Sequence, residues 1–234
     1  MELCILIPAK NEESTLTQTI NKLILSLGPD IKFNILVIND YSTDNTVNIL
    51  ESLCREYSII DYVNNENDRG VGSAIRYGLD RFIGDVVAIC MADGSDYPVD
   101  IIKSFNLINN EGYDCVFGSR FIKGGHIHNY PKVKLILNRI FNLSIKYLFF
   151  YPYNDFTNIF KVYSRRAIEQ ITPLESTQFS IGLEMSLYAY KRKLKIAVIP
   201  ISWIQRDSGV SKLNIVRNIK FYLSTLYKSI LNEK

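Results

Sequence analysis

Strand-like and helix-like runs alternate from the first residues to Phe121, and this rhythm restricts the fold more than any single residue does. "LCILIP", "FNILVIND", "IIDYVNN", "DVVAICM" and "YDCVFGSRF" read as strands. Between the first two lies "ESTLTQTINKLILSL", with Leu16, Ile20, Leu23 and Leu27 at helical spacing and Gly28-Pro29 as its stop. "STDNTVNILESLCREY" follows as a helix with Ser42 or Asp44 as its cap, then "GVGSAIRYGLDRFI", then "YPVDIIKSFNLIN" with Pro98 at its start. Strands alternating with helices of this length predict an α/β fold with a mostly parallel central sheet and helices on both faces. The strands are apolar along their whole length, which suits burial on both faces.

After Phe121 the rhythm changes. "IKGGHIHNYPK" reads as a loop, residues 131–150 as a long helix, and "FKVYSR" as a strand or extended segment. "SIGLEMSLYAYKRK" reads as a helix, "KIAVIPISWIQR" as extended, and "SKLNIVRNIKFYLSTLYKSIL" as a terminal helix. No repeat, low-complexity tract or linker interrupts the chain. The expectation is one domain over residues 1–234, with a helical elaboration at its C-terminal end.

A chain of 234 residues, 47% hydrophobic and 22% charged, has the composition of a soluble globular protein with one sizeable core. The net charge of +3 is too small to argue for nucleic acid, and none is expected as a partner. The charge is uneven, however. Most Asp residues lie in the first hundred positions, and the segment from Lys132 to Lys234 is basic. That half suits an anionic partner, such as a diphosphate or a membrane surface. Cys4, Cys54, Cys90 and Cys115 match no zinc spacing and read as free thiols in a reducing compartment. "MELCILIPAKNEE" carries no secretory pattern. The most apolar later stretch, residues 133–152, is broken by Lys134, Asn138, Arg139 and Lys146, so no spanning helix is expected, although an interfacial one remains open.

In a parallel α/β sheet, ligands collect beyond the carboxyl ends of the strands. Pro8-Ala9-Lys10-Asn11-Glu12 follows the first strand and Asn39-Asp40-Tyr41-Ser42 the second. Ala92-Asp93-Gly94-Ser95-Asp96 and Ser119-Arg120 follow two later ones. Polar loops at strand ends are common, but four together predict a converging site. Asp40 is suited to accept hydrogen bonds from a base or ribose. Asp93 is suited to a hard divalent cation, and Arg120 to two-pronged pairing with phosphate. Arg206 and Lys212 bracket a glycine turn and read either as a solvated loop or as a basic clamp over a diphosphate. No P-loop is present, and "GVGSA" reads as a tight helix start rather than a dinucleotide loop. His126 and His128 read as exposed polar surface in a glycine loop.

"LIPAKNE", "VINDYSTDNT", "RGVGSAIRYGL", "GSRFIKGG" and "RDSGVSKL", in that order between Leu3 and Leu213, resemble the motifs of glycosyltransferase family 2. The nearest branch is the dolichyl- or polyprenyl-phosphate mannosyltransferase and glucosyltransferase group. The resemblance implies a Rossmann-like GT-A fold, with a nucleotide-binding half over residues 1–120 and an acceptor-side half over residues 121–234. It implies an inverting hexosyltransferase that uses a nucleotide sugar of the GDP-mannose or UDP-glucose type with Mg²⁺ or Mn²⁺. The acceptor would be a polyprenyl phosphate or a glycan, in polysaccharide or glycolipid biosynthesis. By the same resemblance Pro8, Lys10, Glu12, Ile38 and Asp40 border the nucleoside, and Ala92, Asp93 and Ser95 the diphosphate, with Asp93 as the metal ligand. Arg120, Arg206 and Lys212 surround the phosphates and share catalysis with Asp93. Asp96 supplies a neighbouring charge and is, with Asp155 and Glu184, an acceptor-side residue or candidate base. Asp155 and Glu184 are either bases or acceptor-positioning groups, or equally structural carboxylates.

Two positions depart from the family pattern. Lys10 stands where a Tyr is frequent, and Met91 stands where the first metal-motif Asp is expected. Two other readings remain open, a sugar-phosphate nucleotidyltransferase and a non-catalytic nucleotide-sugar binder. The expected location is cytoplasmic, at the inner face of the membrane if the basic terminal helix touches lipid. Ile215, Ile219, Tyr222, Leu223, Leu226 and Ile230 recur there at helical spacing, among Lys212, Arg217, Lys220 and Lys228. Packing on the core or in a homo-oligomer is an equal reading of that face.

Overall fold

The computed structural model describes residues 1–128, 130–204 and 215–231. A seven-stranded sheet forms its centre. Its strands are β1 (Leu3–Ala9), β2 (Phe33–Asn39), β3 (Ile60–Asn64), β4 (Val86–Ile89), β5 (Cys115–Ser119), β7 (Lys161–Ser164) and β8 (Ile196–Pro200), in the order β3-β2-β1-β4-β7-β5-β8. β1 pairs in parallel with β2 and β4, β2 with β3, and β5 with β8. β7 runs antiparallel between β4 and β5. Six of the seven strands of this sheet run in one direction, so it is mostly parallel, as the alternation predicts; β7 is the reversed strand, because the chain leaves the sheet after β5 and re-enters from the opposite end. Strands from both sides of residue 120 share this sheet, and that position does not divide it.

Side chains alternate along each strand, so one strand feeds two cores. Leu3, Ile5 and Ile7 of β1 join α1 (Leu16–Leu27), α2 (Thr46–Glu56) and α4 (Pro98–Glu111) on one face. Cys4 and Leu6 join α3 (Val71–Leu79), α6 (Arg165–Ile171) and α7 (Ile181–Lys191) on the other, with α5 (Lys132–Phe149) and α8 (Ile215–Leu231) at its border. α1 stops at Gly28 as the sequence indicates. α2 starts at Asn45 instead of Ser42 or Asp44, and Asp44 accepts from the Thr46 N–H just inside the helix at 3.1 Å.

Short elements escaped the sequence pattern. α6 is one, and so is the parallel pair β6 (His126–His128) and β9 (Ser202–Ile204). β6 lies inside the stretch read as a loop. All four cysteines are free, three of them buried. Among the described residues no helix is long and apolar enough to cross a membrane. The apolar face of α8 is split: Tyr222 and Leu226 pack against the core, whereas Ile219, Leu223 and Ile230 are exposed.

Candidate active site

The carboxyl ends of β1, β2, β4 and β5, with the amino end of antiparallel β7, meet along one edge of the sheet. At the β1–β2 part of that edge, two loops are stitched together. Asn11 donates its N–H to Ser42 Oγ at 3.0 Å and accepts the Thr43 N–H at 2.7 Å. The Glu12 N–H donates to Thr46 Oγ1 at 2.9 Å, and the Asn45 N–H donates to Glu13 at 2.9 Å. This network explains why Asn, Glu, Ser, Thr and Asp crowd both motifs.

Asp40 closes the network from below. Its carboxylate is 3% exposed, accepts the Gly70 N–H at 3.0 Å and Asn65 Nδ2 at 3.0 Å, and lies 3.9 Å from Lys10 Nζ. Asn65 had no signal in the sequence and Gly70 only that of a helix start, because the fold alone brings them to Asp40. Pro8 lies within buried β1, and Glu12 is buried with its carboxylate accepting from Thr15 Oγ1 at 3.0 Å. The Ile38 side chain turns away from the edge. It is fully buried under α3, where Gly78 lets it approach. A polar hollow lined by Tyr41, Arg69, Ser73 and Arg76 adjoins the Asp40 loop. The Ser73 hydroxyl is buried there without a hydrogen-bond partner.

The glycines of "GVG" serve a different purpose from cradling phosphate. A Cβ at Gly72 would stand 2.6 Å from the backbone oxygens of Ser176 and Gln178, and one at Gly70 would collide with Thr177. The N–H groups of Gly72 and Ser73 both donate to the Thr177 carbonyl, at 3.0 and 3.2 Å. The start of α3 is therefore capped by a crossing chain segment. Glu184 holds that same segment, with its two carboxylate oxygens taking the N–H groups of Glu175 and Ser176 at 2.8 Å each.

Beyond β4, Cys90 to Tyr97 forms a tight loop. The Ala92 carbonyl accepts from Thr19 Oγ1 at 3.0 Å, which ties the loop to α1. Asp93 accepts the Ser95 N–H at 3.1 Å, and Asp96 accepts the Met91 N–H at 2.9 Å. Burial raises the Asp96 carboxyl to about 7, and the Asp93 charge adds to the rise against the opposing Met91 N–H. Met91 is partly buried against the core. Two hard carboxylates on one loop suit Mg²⁺ or Mn²⁺. No group of three or more His, Cys, Asp or Glu side chains converges among the described residues, so a cation here would need substrate phosphates and water as its other ligands.

At the β5 end, Arg120 makes a buried two-pronged pair with Asp155. Nε donates at 2.8 Å and Nη2 at 2.6 Å, while the Arg120 N–H adds a third bond to the same carboxylate at 3.0 Å. Burial opposes the guanidinium charge, yet Asp155 holds its pKa above the ordinary range. Tyr153 and Asn158 clasp the same segment to the Gly118 carbonyl at 2.8 and 3.1 Å. Lys161, at the start of β7, is 1% exposed, and burial lowers its pKa to about 7. The Phe121 ring lies 5.2 Å from the Arg120 guanidinium and 4.4 Å from that of Arg139. Arg139 Nη1 is buried and has no hydrogen-bond partner. An Arg in the apolar stretch around "LILNRIFN" was the available signal for it. Arg206 and Lys212 lie outside the described residues.

Asp40, Asp93, Asp96, Arg120 and Asp155 thus follow one another along a single edge, and Glu184 stands behind it. The profile described as "Glycosyl transferase family 2" matches residues 4–172. Polyprenol monophosphomannose synthase of Mycolicibacterium smegmatis is 26% identical over 216 residues, covering 90% of this chain and 80% of that protein. A dolichyl-phosphate beta-glucosyltransferase of Trichomonas vaginalis is 26% identical over 238 residues, covering 96% of this chain and 69% of that one. Glucosyl-3-phosphoglycerate synthase of Mycobacterium tuberculosis, solved with Mn²⁺, UDP-glucose and phosphoglyceric acid, superposes with a TM-score of 0.71 at 16% identity, covering 97% of this chain and 79% of that one. The fold is accordingly a GT-A-like Rossmann fold with a mixed central sheet flanked by helices.

Proposed function

The chain belongs to glycosyl transferase family 2 and is a glycosyltransferase, and from that premise we propose that it moves a hexose from a nucleoside-diphosphate sugar to a polyprenyl phosphate with inversion. Membership sets aside the nucleotidyltransferase and the non-catalytic binder. The observation that carries the acceptor class is the state of the candidate bases. Asp155 has its oxygens filled by three Arg120 donors, and Glu184 by two backbone N–H groups. Neither is free to take a proton from an incoming hydroxyl, and Asp96, the third candidate, is buried with Oδ2 taken by the Met91 N–H. An acceptor that is already an anion needs no base. The unpaired Nη1 of Arg139 supports the same reading, because it is a donor near Arg120 that an anion could take.

In this reading the nucleoside lies over the stitched β1–β2 loops, beside Lys10 and Asp40. Asp93 is the protein ligand of Mg²⁺ or Mn²⁺, which when bound would neutralise charge growing on the diphosphate. Ser95 holds Asp93 in place through its N–H. An acceptor phosphate oxygen attacks the anomeric carbon from the face opposite the leaving nucleoside diphosphate. The transition state is oxocarbenium-like, and Arg120, Arg206 and Lys212 stabilise the leaving phosphate.

The test is transfer from a panel of nucleotide sugars, with Mn²⁺, to a short-chain polyprenyl phosphate, to the corresponding polyprenol and to 3-phosphoglycerate. Transfer to the polyprenyl phosphate alone is expected. Transfer to the free alcohol, or only to phosphoglycerate, would overturn the acceptor.

A further inference from the structure

The buried face of α8 grips one short segment of the chain. Tyr222, Thr225, Leu226 and Ser229 recur at spacings of three and four, so they share one side of the helix. The Tyr222 hydroxyl donates to the Phe179 carbonyl at 3.4 Å, and the hydroxyls of Thr225 and Ser176 pair at 3.0 Å. At the edge of the same face, Lys228 Nζ meets the Glu175 carboxylate at 2.6 Å. Thr225 and Ser176 are both buried. An apolar side chain at position 225 would pack there as well. A buried hydroxyl pair adds direction, because either hydroxyl left alone inside the protein is destabilising. The pair therefore fixes which turn of α8 meets residue 176.

The other side of residues 175–179 meets the nucleoside end of the site. The Thr177 carbonyl takes the N–H groups of Gly72 and Ser73. Gln178 Nε2 donates to the Arg69 carbonyl at 3.3 Å, and Arg76 Nη1 donates to the Glu175 carbonyl at 3.2 Å. Gly70 lies between Arg69 and Gly72, and its N–H donates to Asp40 at 3.0 Å. Three contacts thus lead from α8 to Asp40: Thr225 to Ser176, Thr177 to Gly72, and Gly70 to Asp40.

We propose that Thr225 and Lys228 are positioning residues for nucleotide binding. They fix residues 175–179, and these fix the Gly70 N–H against Asp40. Neither residue touches substrate. The proposal rests on the reading that the nucleoside lies beside Asp40. Groups that border a ligand must be held to within about 0.5 Å by the residues behind them. Linkage then works in both directions: bound nucleotide steadies α8 by as much as docked α8 strengthens nucleotide binding.

The experiment is calorimetric titration of the full chain with UDP and with GDP, in Mn²⁺, paired with hydrogen exchange. The wild type is expected to bind one of the two, and the bound nucleotide to slow amide exchange in both α3 and α8. Thr225→Val should weaken binding by about fivefold and remove the slowing in α8. Thr225→Ser keeps the hydroxyl and should bind as wild type does. Lys228→Glu should weaken binding at low salt, and adding Glu175→Lys should restore it. Ile108→Val, in the core on the opposite face of the sheet, controls for stability: it should lower the urea midpoint and leave affinity unchanged. Wild-type affinity in Thr225→Val would overturn the proposal, as would a loss of affinity that simply follows urea stability across all these variants. Asp40→Asn separates the two ways of failing. If it loses binding while Thr225→Val does not, the coupling is wrong and the nucleoside pocket stands. If it binds as wild type does, or if neither nucleotide binds the wild type, the nucleoside reading fails and the proposal with it.

Discussion

Asp93 and Met91 show how little of a loop's chemistry lies in a motif's spelling. Met91 packs as an apolar residue, and its thioether suits neither Mg²⁺ nor Mn²⁺. Met91→Leu is expected to leave transfer with Mn²⁺ close to wild type, whereas Asp93→Asn should remove most activity and metal dependence, read by an initial-rate assay against Mn²⁺ concentration. Asp96 raises a different question, because its carboxyl is poised near neutral pH. Its folded pKa is raised, so between its ordinary value and about 7 the folded chain holds a proton that the unfolded chain has lost. Stability from this group therefore falls as pH rises through that window. Asp96→Asn should gain thermal stability over wild type above pH 7 and show less gain near pH 5, in metal-free melts across pH. If a base is not required, the same variant keeps measurable transfer to a phosphate acceptor.

Helix α3 and the segment that crosses it act as one element. Two glycines, one carbonyl and the two oxygens of Glu184 hold residues 175–178 against the start of the helix. Alanine usually favours a helix over glycine by about 1 kcal/mol. At Gly72 that preference is outweighed, since a Cβ 2.6 Å from two backbone oxygens forces the segment away. Gly72→Ala is expected to destabilise the protein by about 1–3 kcal/mol, measured by urea unfolding. A rise in stability would mean that the segment docks loosely.

For the molecule as a whole, the Arg120–Asp155 pair joins β5 to the chain that re-enters the sheet as β7. Both side chains are buried, at 7% and 0% exposure. Removing one partner leaves an uncompensated charge inside the protein, a loss of about 3–5 kcal/mol. Asp155→Asn should therefore lower global stability by that order in denaturant unfolding, with the nucleoside end losing no more than the rest. A mutation that abolished transfer at unchanged stability would move Asp155 from positioning to chemistry.

The alternation of apolar runs and amphipathic helices determined the layers, because burial on one strand face or two leaves a period that can be read along the chain. It also placed Asp40, Asp93 and Arg120 just beyond the carboxyl ends of β2, β4 and β5, where the sheet does put them. The antiparallel insertion of β7 between β4 and β5 was decided only in three dimensions, because a strand's residues do not record which neighbour it pairs with or in which direction. The fates of Asp155 and Glu184 were hidden for the same reason. Their donors come from Arg120, 35 residues away, and from the backbone of Glu175 and Ser176, and a carboxylate's availability depends on those partners and on burial. The apolar face of α8 is the mirror case: its period was legible, but which of its residues are covered is a property of what the rest of the fold places against it.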